Sequence, residues 1–220
     1  VEVVGHCQEK GESFLVYEYM KNGSLYDNLH DKYNRVLSSW KMRIKIALDV
    51  CRGIQYLLNN TVAHVDKVIK SCNILFDGTW TARVSDFRLT FVKNKMRGVD
   101  CIHPKRKYAN ELTQERDVYA LGVVMLELLT GRRPNYRYWD DRDTLLDMMG
   151  VGESVDWGFF LCEDLMKILD LKVRPPSNLN ETRALHLVAR TALELIKAID
   201  RPTMSHAELK LEQALAFCEW

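Results

Sequence analysis

The sequence predicts an α+β fold in which a few strands come first and helices make up most of the rest. The run at 13–20, SFLVYEYM, is rich in aromatic and β-branched residues and follows the polar turn QEKGE, which indicates a hairpin. Later in the chain, apolar residues recur at helical spacing. With 47% apolar and 28% charged residues, the 220-residue chain can bury a substantial core, so a globular protein is expected.

The first long helix is predicted between two polar signals. Ser38 or Ser39 can cap its start, and the helix should end near the Asn59-Asn60 pair. Apolar residues recur at helical spacing between these ends, namely Trp40, Ile44, Ala47, Val50, Cys51, Ile54 and Leu57. The polar sequence KNGS at 21–24 separates this part of the chain from the preceding hairpin.

Two short strands are predicted on either side of a turn at Asp77-Gly78, because NILFD and TARVSDF flank that turn. A basic, irregular segment follows from Lys93 to Lys107. A long apolar helix is then expected from about Thr113 to Thr130, with Gly131 placed to end it. Three later segments have the pattern of amphipathic helices, namely LCEDLMKILD, ETRALHLVARTALELI and MSHAELKLEQALAF.

The composition excludes several classes of protein. A net charge of +1, from 31 basic and 30 acidic residues, provides no net attraction to nucleic acid or anionic lipid. The six cysteines are scattered without metal-ligand spacing, which favours a reducing, cytosolic setting over a zinc site or a disulfide-rich secreted fold. The most apolar run, at 119–131, is too short to span a bilayer and is interrupted by Glu127. The start without Met suggests that an N-terminal part is missing.

Five segments, taken in order, resemble the C-terminal two thirds or more of a eukaryotic protein kinase domain, namely LVYEYMKNGSL, IKSCNILFD, RVSDF, RDVYALGVVMLELLTG and DRPTM. LYDNLHD and SWKMRIKIALD are most similar to the crinkly-type branch of plant receptor-like serine/threonine kinases. The resemblance implies a protein kinase-like fold in which 1–20 is the end of the N-lobe with the hinge, and 21–220 is the C-lobe. The Gly-rich loop, the strand lysine and the helix glutamate of that family would lie outside this sequence.

The resemblance also implies a site for ATP and Mg²⁺. Tyr17 would be the gatekeeper, Glu18 to Met20 the hinge that meets adenine, and Leu75 the residue that closes the pocket from below. Asn73 and Asp86 match the two metal ligands, because kinases hold magnesium with a catalytic-loop Asn and the Asp of DFG. Without the resemblance, the hinge residues are simply a buried strand and its neighbour.

The catalytic loop departs from the family pattern HRDxKxxN, in which the Asp accepts a proton and the Lys, here Lys70, neutralises the transferred phosphoryl group. Aligning on Lys70 and Asn73 puts Asp66, Lys67 and Val68 in the three HRD positions. Valine cannot accept a proton, and loss of such a group typically costs on the order of 10²- to 10⁴-fold in rate. The sequence therefore predicts impaired catalysis.

A rival alignment takes His64-Val65-Asp66 as the HRD equivalent. Asp66 then lies seven residues before Asn73, whereas the family spacing is five, so the loop would hold a two-residue insertion. A carboxylate displaced by about 1 Å can lose roughly 10²-fold in rate. Asp66 therefore stays open as an alternative base, and a third interpretation takes His64 and Asp66 as ordinary polar loop residues.

The activation segment departs from the family pattern as well. DFG is replaced by Asp86-Phe87-Arg88, and an arginine in place of glycine restricts the backbone conformations of this switch. The residues between 90 and 113 include neither Ser nor Thr, so the usual phosphorylation site is missing there. Binding of ATP and Mg²⁺ should be weaker than is usual for the family.

A second departure concerns Arg201 in the DRPT sequence. Lys105 stands where the family has the acid that pairs with this arginine, so two cations would face each other. A buried, unpaired arginine costs several kcal/mol unless another group takes the place of the acid or the loop moves into water. We therefore expect a rearranged substrate-docking surface.

The residues that support the fold match the family pattern better than the catalytic residues do, since Asp117 matches the residue that ties down the backbone of the catalytic loop.

Three functions are compatible with the sequence: a pseudokinase-like domain that signals by binding nucleotide or partner, an active serine/threonine kinase that uses Asp66, or a truncated fragment without a function of its own. Expected partners are the protein partners or substrates of a receptor-like kinase, not nucleic acid. The resemblance implies the cytoplasmic side of the plasma membrane, with any membrane anchor in the full-length protein.

Overall fold

Short strands lie near the N-terminal end and long helices follow, as the computed structural model of residues 1–9, 12–60, 69–85, 114–134, 165–196 and 201–219 describes. The elements in chain order are β1 (Val3–Glu9), β2 (Glu12–Tyr17), α1 (Leu25–His30), α2 (Trp40–Asn60), a 3₁₀ turn (Ser71–Asn73), β3 (Ile74–Phe76), β4 (Ala82–Val84), α3 (Gln114–Thr130), α4 (Leu179–Ile196) and α5 (Met204–Phe217). This mixture confirms the predicted α+β class.

Strands β1 and β2 form the predicted N-terminal hairpin. They pair antiparallel from Val3 opposite Tyr17 to Glu9 opposite Glu12, and the register shifts at a bulge before Gly5. Apolar side chains of this hairpin are exposed, with Val4 at 61% and Phe14 at 52%. The hairpin therefore leaves apolar surface open to solvent within the described part of the chain.

Two polar caps set the starts of α1 and α2. The Ser24 hydroxyl accepts a hydrogen bond from the Asp27 amide at 3.1 Å, so it caps α1. At α2, the Met42 amide donates to Ser39 Oγ at 3.5 Å, so the cap is Ser39 rather than Ser38. The predicted helix is confirmed, and it ends at Asn60, beside the predicted Asn59-Asn60 boundary.

Strands β3 and β4 form the second predicted hairpin, with Ile74 opposite Val84 and Phe76 opposite Ala82. Asp77 organises the connection between them. Its Oδ1 accepts hydrogen bonds from the amides of Thr79 at 2.9 Å and Thr81 at 3.0 Å. An aspartate that binds backbone amides two and four residues onward stabilises a tight turn, which explains why the hairpin forms here.

Helix α3 lies at the centre of the hydrophobic core and packs against α2 and α4. Its residues Val124, Met125 and Leu126 are fully buried. The helix ends at Thr130, and Gly131 terminates it as predicted: its φ is 63° and its amide donates to the Glu127 carbonyl at 2.8 Å. Glycine suits this left-handed position because it has no Cβ.

The other predicted helices are confirmed as far as the described residues allow. Helix α5 covers MSHAELKLEQALAF, and α4 contains all of ETRALHLVARTALELI. Of LCEDLMKILD, residues 165–168 are helical, and its first part lies outside the described residues. The basic segment 93–107 also lies outside them. Within the described ranges, no helix combines the length and the apolar character needed to cross a membrane.

Candidate functional site

The predicted hinge lies at the end of β2 and is held by β1. Tyr17 is the last residue of β2 and pairs with Val3. The Glu18 amide donates to the Glu2 carbonyl at 3.1 Å, and the Glu18 carboxylate accepts from the Glu2 amide at 2.9 Å. Met20 is buried, with 8% of its surface exposed. The chain is thus fixed on both sides of residue 18.

Leu75 lies beside the segment that directly follows the hinge. It forms an isolated antiparallel bridge with Ser24. The neighbouring Phe76 amide donates to the Gly23 carbonyl at 2.9 Å, and the Asn22 amide donates to the Phe76 carbonyl at 3.2 Å. These bonds bring β3, with Leu75 in its middle, next to the chain that leaves Met20.

The 3₁₀ turn Ser71–Asn73 connects Lys70 with the start of β3. Lys70 is buried, with 9% of its surface exposed, and its carbonyl accepts a hydrogen bond from the Asn73 amide at 2.9 Å. The Asn73 side-chain oxygen accepts a long hydrogen bond from Cys72 Sγ at 3.7 Å. The turn therefore places Lys70 and Asn73 at its two ends.

Asn73 is tied to the residue that precedes Asp86 in the sequence. The Asn73 carbonyl accepts from the Ser85 amide at 2.8 Å and from the Ser85 hydroxyl at 2.9 Å. Asp86 itself lies outside the described residues. These hydrogen bonds thus fix the position of Ser85, after which the chain continues to Asp86, the second predicted metal ligand.

Several predicted site residues lie outside the described ranges. They are Asp66, Val68, Asp86, Arg88 and Lys105. The choice between Val68 and Asp66 at the base position therefore stays a prediction. Within the described residues, no three His, Cys, Asp or Glu side chains group as metal ligands.

Asp117 occupies the first turn of α3 and is buried, with 8% of its surface exposed. The first part of the catalytic loop, residues 66–68, lies outside the described residues. Its predicted role therefore also stays a prediction.

Arg201 has partners other than the acid that the family would supply. Its guanidinium donates to the carbonyls of Glu115 at 2.8 Å and Ile196 at 3.3 Å, and it lies 5.4 Å from the centre of the Tyr119 ring. Burial lowers the pKa of Arg201, and the nearby Glu115 charge acts in the opposite direction. Backbone carbonyls and an aromatic face therefore hold this cation.

Sequence reasoning missed a buried polar cluster behind the 3₁₀ turn. Glu127 Oε1 accepts from the Ser71 hydroxyl at 2.8 Å and lies 2.8 Å from His30 Nε2. The sequence signal was an acidic residue inside the most apolar run of the chain, where it interrupts a helix that is otherwise buried. Such a residue needs buried partners, but the sequence does not identify them.

Residues 1–170 match the sequence family described as protein tyrosine and serine/threonine kinase. The serine/threonine-protein kinase-like protein CCR3 of Arabidopsis thaliana is 44% identical over 99% of this chain and 30% of its own length. The corresponding protein CCR4 of the same plant is 38% identical over 99% of the chain and 30% of its own length. Wall-associated receptor kinase-like 5, also of Arabidopsis thaliana, is 30% identical over 97% of the chain and 30% of its own length. The chain thus spans less than a third of the length of these relatives.

Proposed function

This chain belongs to the protein tyrosine and serine/threonine kinase family, and we propose that it is a catalytically impaired kinase domain segment that signals by binding nucleotide or a protein partner. Receptor-like serine/threonine kinases are among its relatives. Residues 1–20 would supply the end of the N-lobe with the hinge, and residues 21–220 the C-lobe. The full-length protein would present this segment on the cytoplasmic side of the plasma membrane.

The observation that carries the proposal is the link between Asn73 and Ser85. The Asn73 carbonyl accepts a hydrogen bond from the Ser85 amide at 2.8 Å. This bond holds Asn73, one predicted metal ligand, beside the residue that directly precedes Asp86, the other one. Lys70 stands at the far end of the same 3₁₀ turn. This arrangement supports the proposal that the chain retains a surface for phosphate and metal, whichever residue stands at the position of the catalytic base.

ATP and Mg²⁺ fit the donor set that these residues offer. Kinases of this family use both, and Mg²⁺ prefers oxygen ligands of the carboxylate and amide type. Asn73 and Asp86 would hold the metal, Lys70 would face the phosphates, and Tyr17, Glu18, Met20 and Leu75 would line the adenine pocket. Bound Mg²⁺ neutralises charge that develops on the phosphate oxygens.

The base position is the reason to propose impairment. Lys70 and Asn73 lie at the two ends of one short turn. Counted from them, the family spacing places Val68 at the position of the residue that accepts the substrate proton. A valine there leaves binding intact while it removes proton acceptance. Arg88, which replaces the glycine of DFG, would weaken metal binding.

An active kinase is the second candidate, because His64-Val65-Asp66 retains a His-x-Asp sequence near the required place. In that case Asp66 would act as the base through an altered loop. Substrates would then be proteins that carry Ser or Thr, as for the receptor-like relatives. The two candidates share the nucleotide site and differ only in proton acceptance.

One assay separates the candidates. The full-length protein is incubated with labelled ATP, Mg²⁺ and a generic protein substrate, beside the variants Asp86→Asn and Asp66→Asn. The proposal expects no incorporation above that of Asp86→Asn. Incorporation that both substitutions abolish would instead establish Asp66 as the base of an active kinase.

A thermal shift tests nucleotide binding separately. ATP with Mg²⁺ should raise the unfolding temperature of the wild type, because a ligand that binds only the native state stabilises it. At a free ligand concentration of about 100 times Kd the gain is about 2.7 kcal/mol. No shift at millimolar ATP, together with no captured partner, would favour a fragment without a function of its own.

A further inference from the structure

Glu127 is a buried carboxylate on the central helix that contacts two other elements. Its Oε1 accepts from the Ser71 hydroxyl at 2.8 Å, and His30 Nε2 lies 2.8 Å from the same oxygen. Glu127 is fully buried, Ser71 is 1% exposed and the His30 side chain is 5% exposed. The three side chains therefore form one buried polar cluster between α3, the 3₁₀ turn and α1.

Stability alone does not account for a glutamate at this place. Its neighbours Leu126 and Leu128 are buried apolar residues of the core. Within the described residues, Glu127 Oε2 has no hydrogen-bond partner. Burying a carboxylate costs several kcal/mol, and replacing buried polar groups by well-packed apolar ones is often neutral or stabilising. The presence of the glutamate is therefore explained better by the two side chains that it contacts, Ser71 and His30.

One partner of Glu127 controls the turn that carries the candidate site. Ser71 is the first residue of the 3₁₀ turn and lies directly between Lys70 and the rest of that turn. The turn closes through the Asn73 amide and the Lys70 carbonyl at 2.9 Å. A hydrogen bond that fixes Ser71 from the core side therefore limits how far Lys70 and Asn73 can move relative to α3.

The other partner connects the cluster to the hinge side of the site. His30 is the last residue of α1, and α1 begins at the Ser24 cap, four residues after Met20. The His30 ring also makes an edge-on contact with Tyr26, with centroids 4.9 Å apart. Glu127 thus contacts both α1, which follows the hinge, and the 3₁₀ turn, which contains the predicted metal ligand Asn73.

We infer that Glu127 is a positioning residue, which holds the Lys70–Asn73 turn against α1 through Ser71 and His30. The role at the metal site rests on the proposed function, since Asn73 is a Mg²⁺ ligand only if the chain binds nucleotide. The positioning of the turn itself does not rest on it. The two can therefore be tested by separate measurements on the same variants.

The first measurement is hydrogen exchange without ligand. Substitutions at the fully buried Glu127 can prevent folding, so Ser71→Ala carries the test. Loss of one buried hydrogen bond, about 1 to 2 kcal/mol, should speed exchange of the Asn73 and Ser85 amides about 5- to 30-fold. Both amides are chosen because they close the turn and attach it to β4.

Thr191→Ala is the matched control. Thr191 is 1% exposed, like Ser71, and its hydroxyl donates a 2.8 Å hydrogen bond, but to the Leu187 carbonyl within α4. This variant should leave the exchange of the Asn73 and Ser85 amides unchanged. Unchanged exchange in Ser71→Ala, or equal acceleration in both variants, would overturn the positioning role.

The second measurement is ATP affinity with and without Mg²⁺. Ser71→Ala should lower the affinity for ATP with Mg²⁺ several-fold, and by a larger factor than the affinity for ATP without metal, to which only Lys70 of this turn would contribute. If wild type binds no nucleotide, the nucleotide-binding form of the proposed function fails, while the exchange result still decides the positioning role. Equal losses with and without Mg²⁺ would refute the link between Glu127 and the metal ligand.

Discussion

The Arg43 guanidinium donates a 2.6 Å hydrogen bond to Asp170 Oδ2, although 127 residues separate the two in sequence. The same guanidinium donates to the carbonyls of Leu37 at 2.7 Å and Leu128 at 2.6 Å. Arg43 is 3% exposed and Asp170 is 8% exposed. This buried pair therefore joins α2, the end of α3 and the segment before α4.

Replacing Arg43 by leucine should destabilise the protein by about 3 to 5 kcal/mol, because it leaves the Asp170 carboxylate buried without its cation. Urea unfolding of both proteins measures the difference. The control is Lys45→Ala on the same helix, whose exposed pair with Asp49 should contribute less than about 1 kcal/mol. Equal effects of the two substitutions would contradict the importance of the buried pair.

Gly131→Ala should destabilise the protein by at least about 1 to 3 kcal/mol. The residue has φ at +63°, and a Cβ there would clash with Asp170 Oδ2, so the buried pair would have to shift. Gly78→Ala is the control, because a Cβ there would make an ordinary 3.7 Å contact with Lys21. Urea midpoints that fall equally for both variants would count against this explanation.

Stability should depend on Asp77 in acid. The hydrogen bond from the Thr79 hydroxyl contributes most to holding the pKa of Asp77 well below its usual range, with help from the Thr81 and Thr79 amides and from Arg83. A lowered folded-state pKa adds stability above the unfolded value of about 3.9, and this contribution disappears as the pH falls further.

The test compares the unfolding free energies of wild type and Asp77→Asn over pH. Their difference should be constant near neutral pH and should shrink as the pH falls below about 4. A difference that stays constant into strong acid would show that the charge of Asp77 does not stabilise the turn.

Cys51 should resist thiol reagents while the protein is folded. Burial raises the pKa of the Cys51 thiol to about 12, and the thiol donates to the Met204 carbonyl at 3.6 Å. Cys7 is exposed on β1. At about pH 8 the thiolate fraction of Cys51 should be roughly a thousandfold below that of a free cysteine, since only the thiolate reacts.

Alkylation followed by mass spectrometry of the two peptides measures both rates. Cys7 should be labelled first in the native protein, and the two cysteines should react at similar rates in denaturant. Equal labelling of Cys51 and Cys7 without denaturant would contradict the burial of Cys51.

The sequence predicts the local structure well where one short segment contains all the necessary information. Helix α2 has its Ser39 cap, its apolar periodicity and its Asn59-Asn60 end within about 20 residues. The hairpin of β3 and β4 likewise has Asp77 inside its own turn. The predictions of family, α+β fold and hairpins are confirmed because they depend on such contiguous patterns.

Contacts between distant residues could not be predicted in the same way. Glu127 contacts His30 across 97 positions and Ser71 across 56. Arg43 has the sequence context of an ordinary helix-surface arginine, yet it is buried against a carboxylate. From a single sequence we can predict that a buried charge needs a partner of opposite charge. The sequence does not show which of its many acidic and basic residues is that partner.

Arg201 has a consequence for how the sequence can change over evolution. It is held by the carbonyls of Glu115 and Ile196, which every amino acid supplies at those two positions. These two hydrogen bonds therefore do not depend on which side chains stand at positions 115 and 196. Side chains at these two positions can therefore change by neutral drift while both hydrogen bonds to Arg201 remain.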